Sequence, residues 1–291
     1  MGLAQLSLVG TAPPQLVRIA AMAGFDFIGA RVRPVTTAER AYDLQPGSAM
    51  LAETLQAVAE TGVGVRDIEF LLLDGTEQRP AWLAMMEAGQ ALGASSLTVA
   101  ASLPDYSLLA DILGAMARDG EDYGIVPTLE VISYQSVNSL PLAARLATET
   151  GCKIVADTLH LSRVASTMDQ LREYAALIPL LQLCDGPAAA PVDRAGLVLE
   201  SRSERAVPGE GDFLLAEMVA ALPQGTPLSV EAPSNSTLAR IGEQDWANKL
   251  KAGADHVIAQ SQAIRAAAPI TSHTQRQTQG QKHDFGNLRT S

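Results

Sequence analysis

CKIVADTLHLS, residues 152–162, passes from an apolar run straight into Asp157 and, three residues on, His160. Residues 153–156, following Gly151, form a short β-branched run of the kind that fills a strand buried on both faces of a parallel sheet. Asp157 then stands where the strand leaves the core, and Thr158 and Ser162 offer turn or capping hydroxyls. In a parallel α/β protein, chemistry collects at the carboxyl ends of strands, because loops there vary over a rigid base. Two readings are open at this point. Asp157 and His160 are metal-ligand or acid/base groups at such a strand end, or Asp157 caps a helix and His160 packs on its first turn.

The same pattern continues in both directions. Strands are expected at residues 3–9, 25–30, 63–73, 95–100, 125–131, 152–157, 180–184 and 227–231, each a short apolar run. Amphipathic helices are expected at 13–23, 48–61, 80–92, 105–118, 139–150, 167–176, 212–222 and 244–267. Pro13 and Pro14 suit a helix start, while Gly24 and Gly93 suit left-handed helix stops. Eight strand-helix units predict a single (β/α)8 barrel over residues 1–269. Residues 270–291 are rich in Gln, Thr, Ser, Arg and His and read as a disordered or partner-ordered tail, which removes His273 and His283 from consideration. His256 reads as a surface or packing histidine within the last helix, leaving His160 at a strand end.

Composition narrows the function. The 291 residues are 47% hydrophobic and 18% charged, enough to bury a large core without staples. A net charge of -11 argues against a nucleic-acid partner, whose phosphates need a basic face. No signal peptide or run of about 18 apolar residues is evident, so a cytoplasmic location without membrane attachment is expected. Cys152 and Cys184 read as small core residues of a reduced protein.

Four expected strands end in oxygen-bearing side chains: Glu130, Asp157, Gln182 and Glu231, separated by 27, 25 and 49 residues. Neighbouring strands five to eight would bring them to one mouth of the barrel. Carboxylates converging in a low-dielectric pocket repel unless a cation lies between them. An all-oxygen donor set suits a hard divalent ion, Mn²⁺ or Mg²⁺ ahead of Co²⁺ or Zn²⁺. Taken singly, each carboxylate could equally be a helix cap or a surface pair.

Read in order, "TLEV", "ADTLH", "LQLCDGP", "VPGEGDF" and "SVEAP" resemble the xylose isomerase-like TIM-barrel superfamily over about residues 3–267. That superfamily includes sugar phosphate isomerase/epimerases, inosose dehydratases and endonuclease IV-type enzymes. The resemblance implies Glu130, Asp157, Gln182 and Glu231 as metal ligands, Glu130 and Glu231 as an acid/base pair, and His160 as a group that contacts substrate or moves a proton. Its epimerases usually carry histidine where this chain has Gln182, whereas its 3-dehydroshikimate dehydratases are similar to this sequence in using glutamine. The endonuclease branch fits poorly, since it needs more histidines and a basic face.

Substrate contacts are expected from Arg205, just before Pro208-Gly209, and from Arg31 and Glu69 near the ends of strands two and three. The simpler view of the 205–213 loop is a plain turn with Asp212 as helix cap. The expected activity is a metal-dependent isomerase or epimerase acting on a sugar or other small polyhydroxylated carbonyl compound. The alternatives are a dehydratase of the 3-dehydroshikimate type, with His160 as base, and a non-catalytic barrel subunit. Alanine-rich outer helices are also compatible with a homo-oligomer.

Overall fold

The computed structural model describes residues 1–36 and 39–267. The strands β1 (Gly2–Ala4), β2 (Phe27–Arg31), β3 (Gly64–Leu73), β4 (Ser96–Ala101), β5 (Val126–Glu130), β6 (Lys153–Asp157), β7 (Leu180–Leu183) and β8 (Leu228–Val230) pair in parallel in chain order. The sheet closes where Gly2 and Leu3 of β1 meet Ser229 and Val230 of β8. Helices α1 (Pro13–Ala23), α2 (Ala49–Thr61), α3 (Arg79–Leu92), α4 (Tyr106–Glu121) and α5 (Leu140–Thr150) follow the first five strands. The expected caps form: Gly24 and Gly93 take left-handed φ values of 84° and 77°, and the Ser48 hydroxyl accepts from the Leu51 amide.

Residues of alternate strand positions serve different layers. Ile28, Ile68, Leu97, Leu129, Ile154, Leu181 and Val230 are fully buried in the core shared with the helices. Gly89 of α3 lets that helix sit on the Ile68 side chain, which a Cβ there would approach to 2.7 Å. The alternating set, including Glu69, Glu130, Asp157, Gln182 and Glu231, faces the barrel axis and its carboxyl-end mouth.

The second half departs from the regular repeat. Asp157 begins a short helix, α6 (Thr158–Arg163), and the expected 167–176 helix is α7 (Met168–Glu173) plus a 3-10 turn at Ala175–Leu177. The 186–211 segment, expected as loop, contains helix α8 (Arg194–Ser203), capped by Asp193, whose carboxylate accepts from the Gly196 amide at 2.8 Å. Helix α9 is Leu215–Ala221, and α10 (Asn235–Ile241) precedes the long α11 (Glu243–Ala267).

The expected strand at 3–9 ends at Ala4 and turns into a 3-10 helix, Gln5–Leu8, because its buried polar side chains serve neighbouring strands. Gln5 Oε1 accepts from the Arg31 amide at 2.6 Å, and Ser7 Oγ donates to the Val230 carbonyl at 3.1 Å. Asp212 is not a helix cap; its side chain accepts from the Ala188 amide at 2.9 Å. The expectation for a 270–291 tail lies outside the described residues. Among the described residues no helix is long and apolar enough to cross a membrane.

Candidate metal and proton-transfer site

Glu130 ends β5, Asp157 ends β6, Gln182 lies in β7, and Glu231 follows β8, where its amide still bonds the Leu183 carbonyl at 2.9 Å. Each of the three acids offers a carboxylate oxygen within 4.8 Å of the other two, and all three are buried. The Gln182 amide donates to Glu231 Oε1 at 3.0 Å, which turns its own Oε1 away as a buried oxygen without a partner. Three carboxylate oxygens and one orphaned amide oxygen are a donor set that fits a hard divalent cation.

The capping reading of Asp157 holds. Oδ1 accepts from the Leu159 and His160 amides at 2.8 and 3.2 Å, capping α6, while Oδ2 accepts from Arg205 Nη1 at 2.6 Å. Capping therefore fixes the carboxylate beside Glu130 and Glu231.

Arg205 threads through the same cluster. Nε donates to the Ser201 carbonyl at 2.8 Å, Nη1 to the Glu231 carbonyl at 2.9 Å, and Nη2 lies 3.1 Å from Glu231 Oε2. Its segment is held by Asp185, whose carboxylate accepts from the amides of Gly186, Gly209 and Phe213 at 2.9, 2.9 and 3.0 Å. Gly209 is required by its left-handed φ of 86°, and Gly211 by a close approach, since a Cβ there would come within 2.4 Å of Asp185 Oδ1.

Electrostatics follow from burial and these partners. Burial, then Glu231 and Asp157, raise the Glu130 carboxyl well above its ordinary value. Burial pushes Glu231 up to about 8 against the opposing pull of Arg205. Burial alone would raise Asp157 too, yet Arg205 and His160 hold it below its usual value. One guanidinium faces three buried acids, and Glu130 and Glu231 meet the excess by holding their protons more tightly.

His160 sits in the first turn of α6 with Nε2 3.9 Å from Glu130 Oε1. On its other side, Nδ1 accepts from the Ser133 amide at 3.4 Å and lies 3.2 Å from Ser133 Oγ. The Tyr134 ring packs edge-on against the imidazole at 5.6 Å, and burial pushes His160 down to about 4, so the ring is neutral near pH 7.

Arg31 and Glu69 are register partners on β2 and β3, with Arg31 Nε 3.8 Å from Glu69 Oε1 and Nη1 bonded to Glu39 at 2.9 Å. Together with His160, Glu130, Arg205 and Glu231 they line one cavity of about 230 Å³ at the mouth. Asp157 and Gln182 are not among its lining residues. A larger hollow, about 380 Å³, sits against Met1, Pro227 and Arg265 and contains none of these groups.

The sequence reading missed Ser133, Tyr134, Glu39, Ser201 and Arg202, the last four of which also line the mouth. Ser201 and Arg202 come from α8, which Arg163 anchors by its ion pair with Glu200 and Tyr134 by its 2.7 Å hydroxyl contact with Ser201. The Asp193 cap was the available signal for that helix.

No protein-family profile and no curated protein matches the sequence. Solved structures do match in fold. A zinc-bound IolI protein superposes with a TM-score of 0.71 at 16% identity, covering 89% of this chain and 98% of that one. An L-ribulose 3-epimerase matches with TM-score 0.68 at 15% identity, over 92% and 98% of the two chains. The probable 3-DHS dehydratase AsbF from Bacillus anthracis matches with TM-score 0.66 at 12% identity, over 87% and 98%. In fold the chain is also similar to proteins described as xylose isomerase domain proteins, at 15% and 16% identity.

Proposed function

We propose that this protein is a divalent-metal-dependent isomerase or epimerase acting on a small polyhydroxylated carbonyl compound, with Mn²⁺ or Mg²⁺ as the cation. The observation that carries the reading is the convergence of Glu130, Asp157 and Glu231, two of which line a mouth cavity, with the buried, partnerless oxygen of Gln182 on a side chain bonded to Glu231. The epimerase and the dehydratase among the structural matches support an enzyme of this general kind.

Glu130, Asp157, Gln182 and Glu231 would hold the cation, which supplies polarisation of a substrate carbonyl and so acidifies the adjacent C–H. Glu130 and Glu231 are then the groups to take that proton and return it, to the same carbon on the other face or to its neighbour. In the metal-free site burial and the neighbouring acids raise the proton affinity of both groups. Arg205 holds Asp157 and Glu231 in place and carries donors toward substrate oxygens. Arg31 and Glu69 line the β2–β3 side of the cavity, across the barrel from β6 and β7, as contacts for the far end of the substrate. A cavity of about 230 Å³ suits a compact ligand, since drug-sized molecules take roughly 300–1,000 Å³.

Metal content by mass spectrometry tests the site. Wild type loaded with Mn²⁺ is expected to retain about one ion per chain, and Glu130→Gln and Glu231→Gln to lose it. Absence of bound metal from the wild type would leave a non-catalytic barrel. A metal-binding protein that turns over 3-dehydroshikimate and not ketoses would be the dehydratase instead.

A further inference from the structure

Two buried polar atoms on the β2–β3 side of the mouth are left unsatisfied. Arg31 and Glu69 are register partners there, and both residues line the cavity. Arg31 Nη1 is bonded to Glu39 Oε2 at 2.9 Å, and the same oxygen accepts from the Val35 amide at 3.0 Å, so the guanidinium is held and its charge is met. Its Nε lies 3.8 Å from Glu69 Oε1, too far for a hydrogen bond. Both atoms are buried, and neither has a hydrogen-bond partner among the described residues. A buried donor and a buried acceptor are costly to leave unmet, and the cavity is the open space that both side chains share.

A group that meets both atoms must accept from an N–H and donate to an acid oxygen. A hydroxyl does so, since an oxygen about 2.8–3.0 Å from each atom closes a triangle on the 3.8 Å base. Carbonyl, carboxylate and ionised phosphate oxygens only accept, and would be set against Glu69; an ammonium only donates, and would face Arg31. We propose that Arg31 and Glu69 form a subsite for one terminal hydroxyl of the substrate, with Arg31 Nε donating to it and Glu69 Oε1 accepting from it. The end of the substrate away from Glu130, Asp157, Gln182 and Glu231 then carries a free hydroxyl and no phosphate. Glu39 strengthens the selection, because an anion approaching Arg31 meets a guanidinium that is already paired.

Placing a substrate at this subsite rests on the reaction proposed above, but the subsite itself is tested without cation or turnover. Crystals of the metal-free protein are soaked in glycerol and, separately, in sodium phosphate. Glycerol is expected to set one hydroxyl oxygen within about 3 Å of both Arg31 Nε and Glu69 Oε1, and phosphate to stay out. A phosphate oxygen in that place would overturn the proposal. So would a water that stays between the two atoms through the glycerol soak, which would mark the pair as a structural bridge, or no oxygen in contact with both. In solution, the metal-loaded protein is assayed on six-carbon ketoses, their 6-deoxy analogues and their 6-phosphates. The parent ketose is expected to exceed both on kcat/KM by at least about tenfold, and Glu69→Met to lose the discrimination against the deoxy compound. A 6-phosphate used as well as its parent, or a deoxy penalty unchanged in Glu69→Met, would also overturn it. If no ketose is turned over, the proposed function fails, and the soaks alone decide the subsite.

Discussion

Replacing Arg205 with methionine is expected to destabilise the metal-free protein by about 3–5 kcal/mol, a fall in Tm on the order of 10 °C. Methionine keeps much of the volume and none of the charge. The guanidinium now reaches Asp157 Oδ2 at 2.6 Å and Glu231 Oε2 at 3.1 Å, both fully buried, with Glu130 close by. Without it, carboxylates face one another in a low dielectric with their opposing charge gone, the circumstance in which breaking a buried pair costs most. Saturating Mn²⁺ is expected to return part of the loss, since a cation binding only the folded state stabilises by about 2.7 kcal/mol at a hundred times its Kd. Thermal melts with chelator and with Mn²⁺, wild type beside Arg205→Met, check both halves. A variant within about 1 kcal/mol of wild type under chelator would mean that Arg205 is not what holds the empty cluster together.

That cluster was legible in the sequence because it obeys local rules. Strands that end on a carboxylate stand out against apolar runs, and the regular spacing of β5, β6 and β7 puts three of the four oxygen-bearing residues one unit apart. The features that escaped are those whose cause is distant in sequence. Gln5 and Ser7 sit in an alternating stretch that reads as strand, yet their partners are Arg31 and Val230, 26 and 223 residues away. Helix α8 buries only Glu200 and Ser201 and leaves Leu199 exposed, so the apolar periodicity that announces a helix is missing. Its ordering comes from polar latches to Arg163 and Tyr134, which no window of the sequence contains. Ser133 escaped for the same reason: its significance depends on the ring of His160, 27 residues on, turning back toward β5. Arg31 was visible just past the end of strand two and Glu69 as a charge within strand three, but the strand face each occupies was not; the β2–β3 register pairs them and both line the mouth.

Asp67→Asn is expected to convert a pH-dependent weakness of the barrel into a pH-independent one. Asp67 lies in the middle of β3 with no exposed surface, and neither carboxylate oxygen has a hydrogen-bond partner. Gly29 on the neighbouring strand makes the room it occupies, since a Cβ there would stand 2.6 Å from Oδ2. Burial, with a smaller push from Glu69, raises this carboxyl to about 8 against the weaker pull of Arg66. An unfolded aspartate ionises near 3.9, so between about 4 and 8 the folded protein holds a proton that the unfolded chain has released. The stabilising contribution of the protonated form is therefore fully present at low pH and is lost as pH rises toward 8. For one proton the slope is about 1.4 kcal/mol per pH unit, and it accumulates to several kcal/mol across the window. Asparagine keeps the shape and does not titrate. Denaturant unfolding at pH 5, 6.5 and 8, always with chelator, is expected to show the variant gaining on wild type at each step. Glu130, Glu231 and the other titrating groups are common to both proteins and largely cancel in that difference. A difference that stays flat with pH would mean that Asp67 is ionised throughout and that water reaches it inside the barrel.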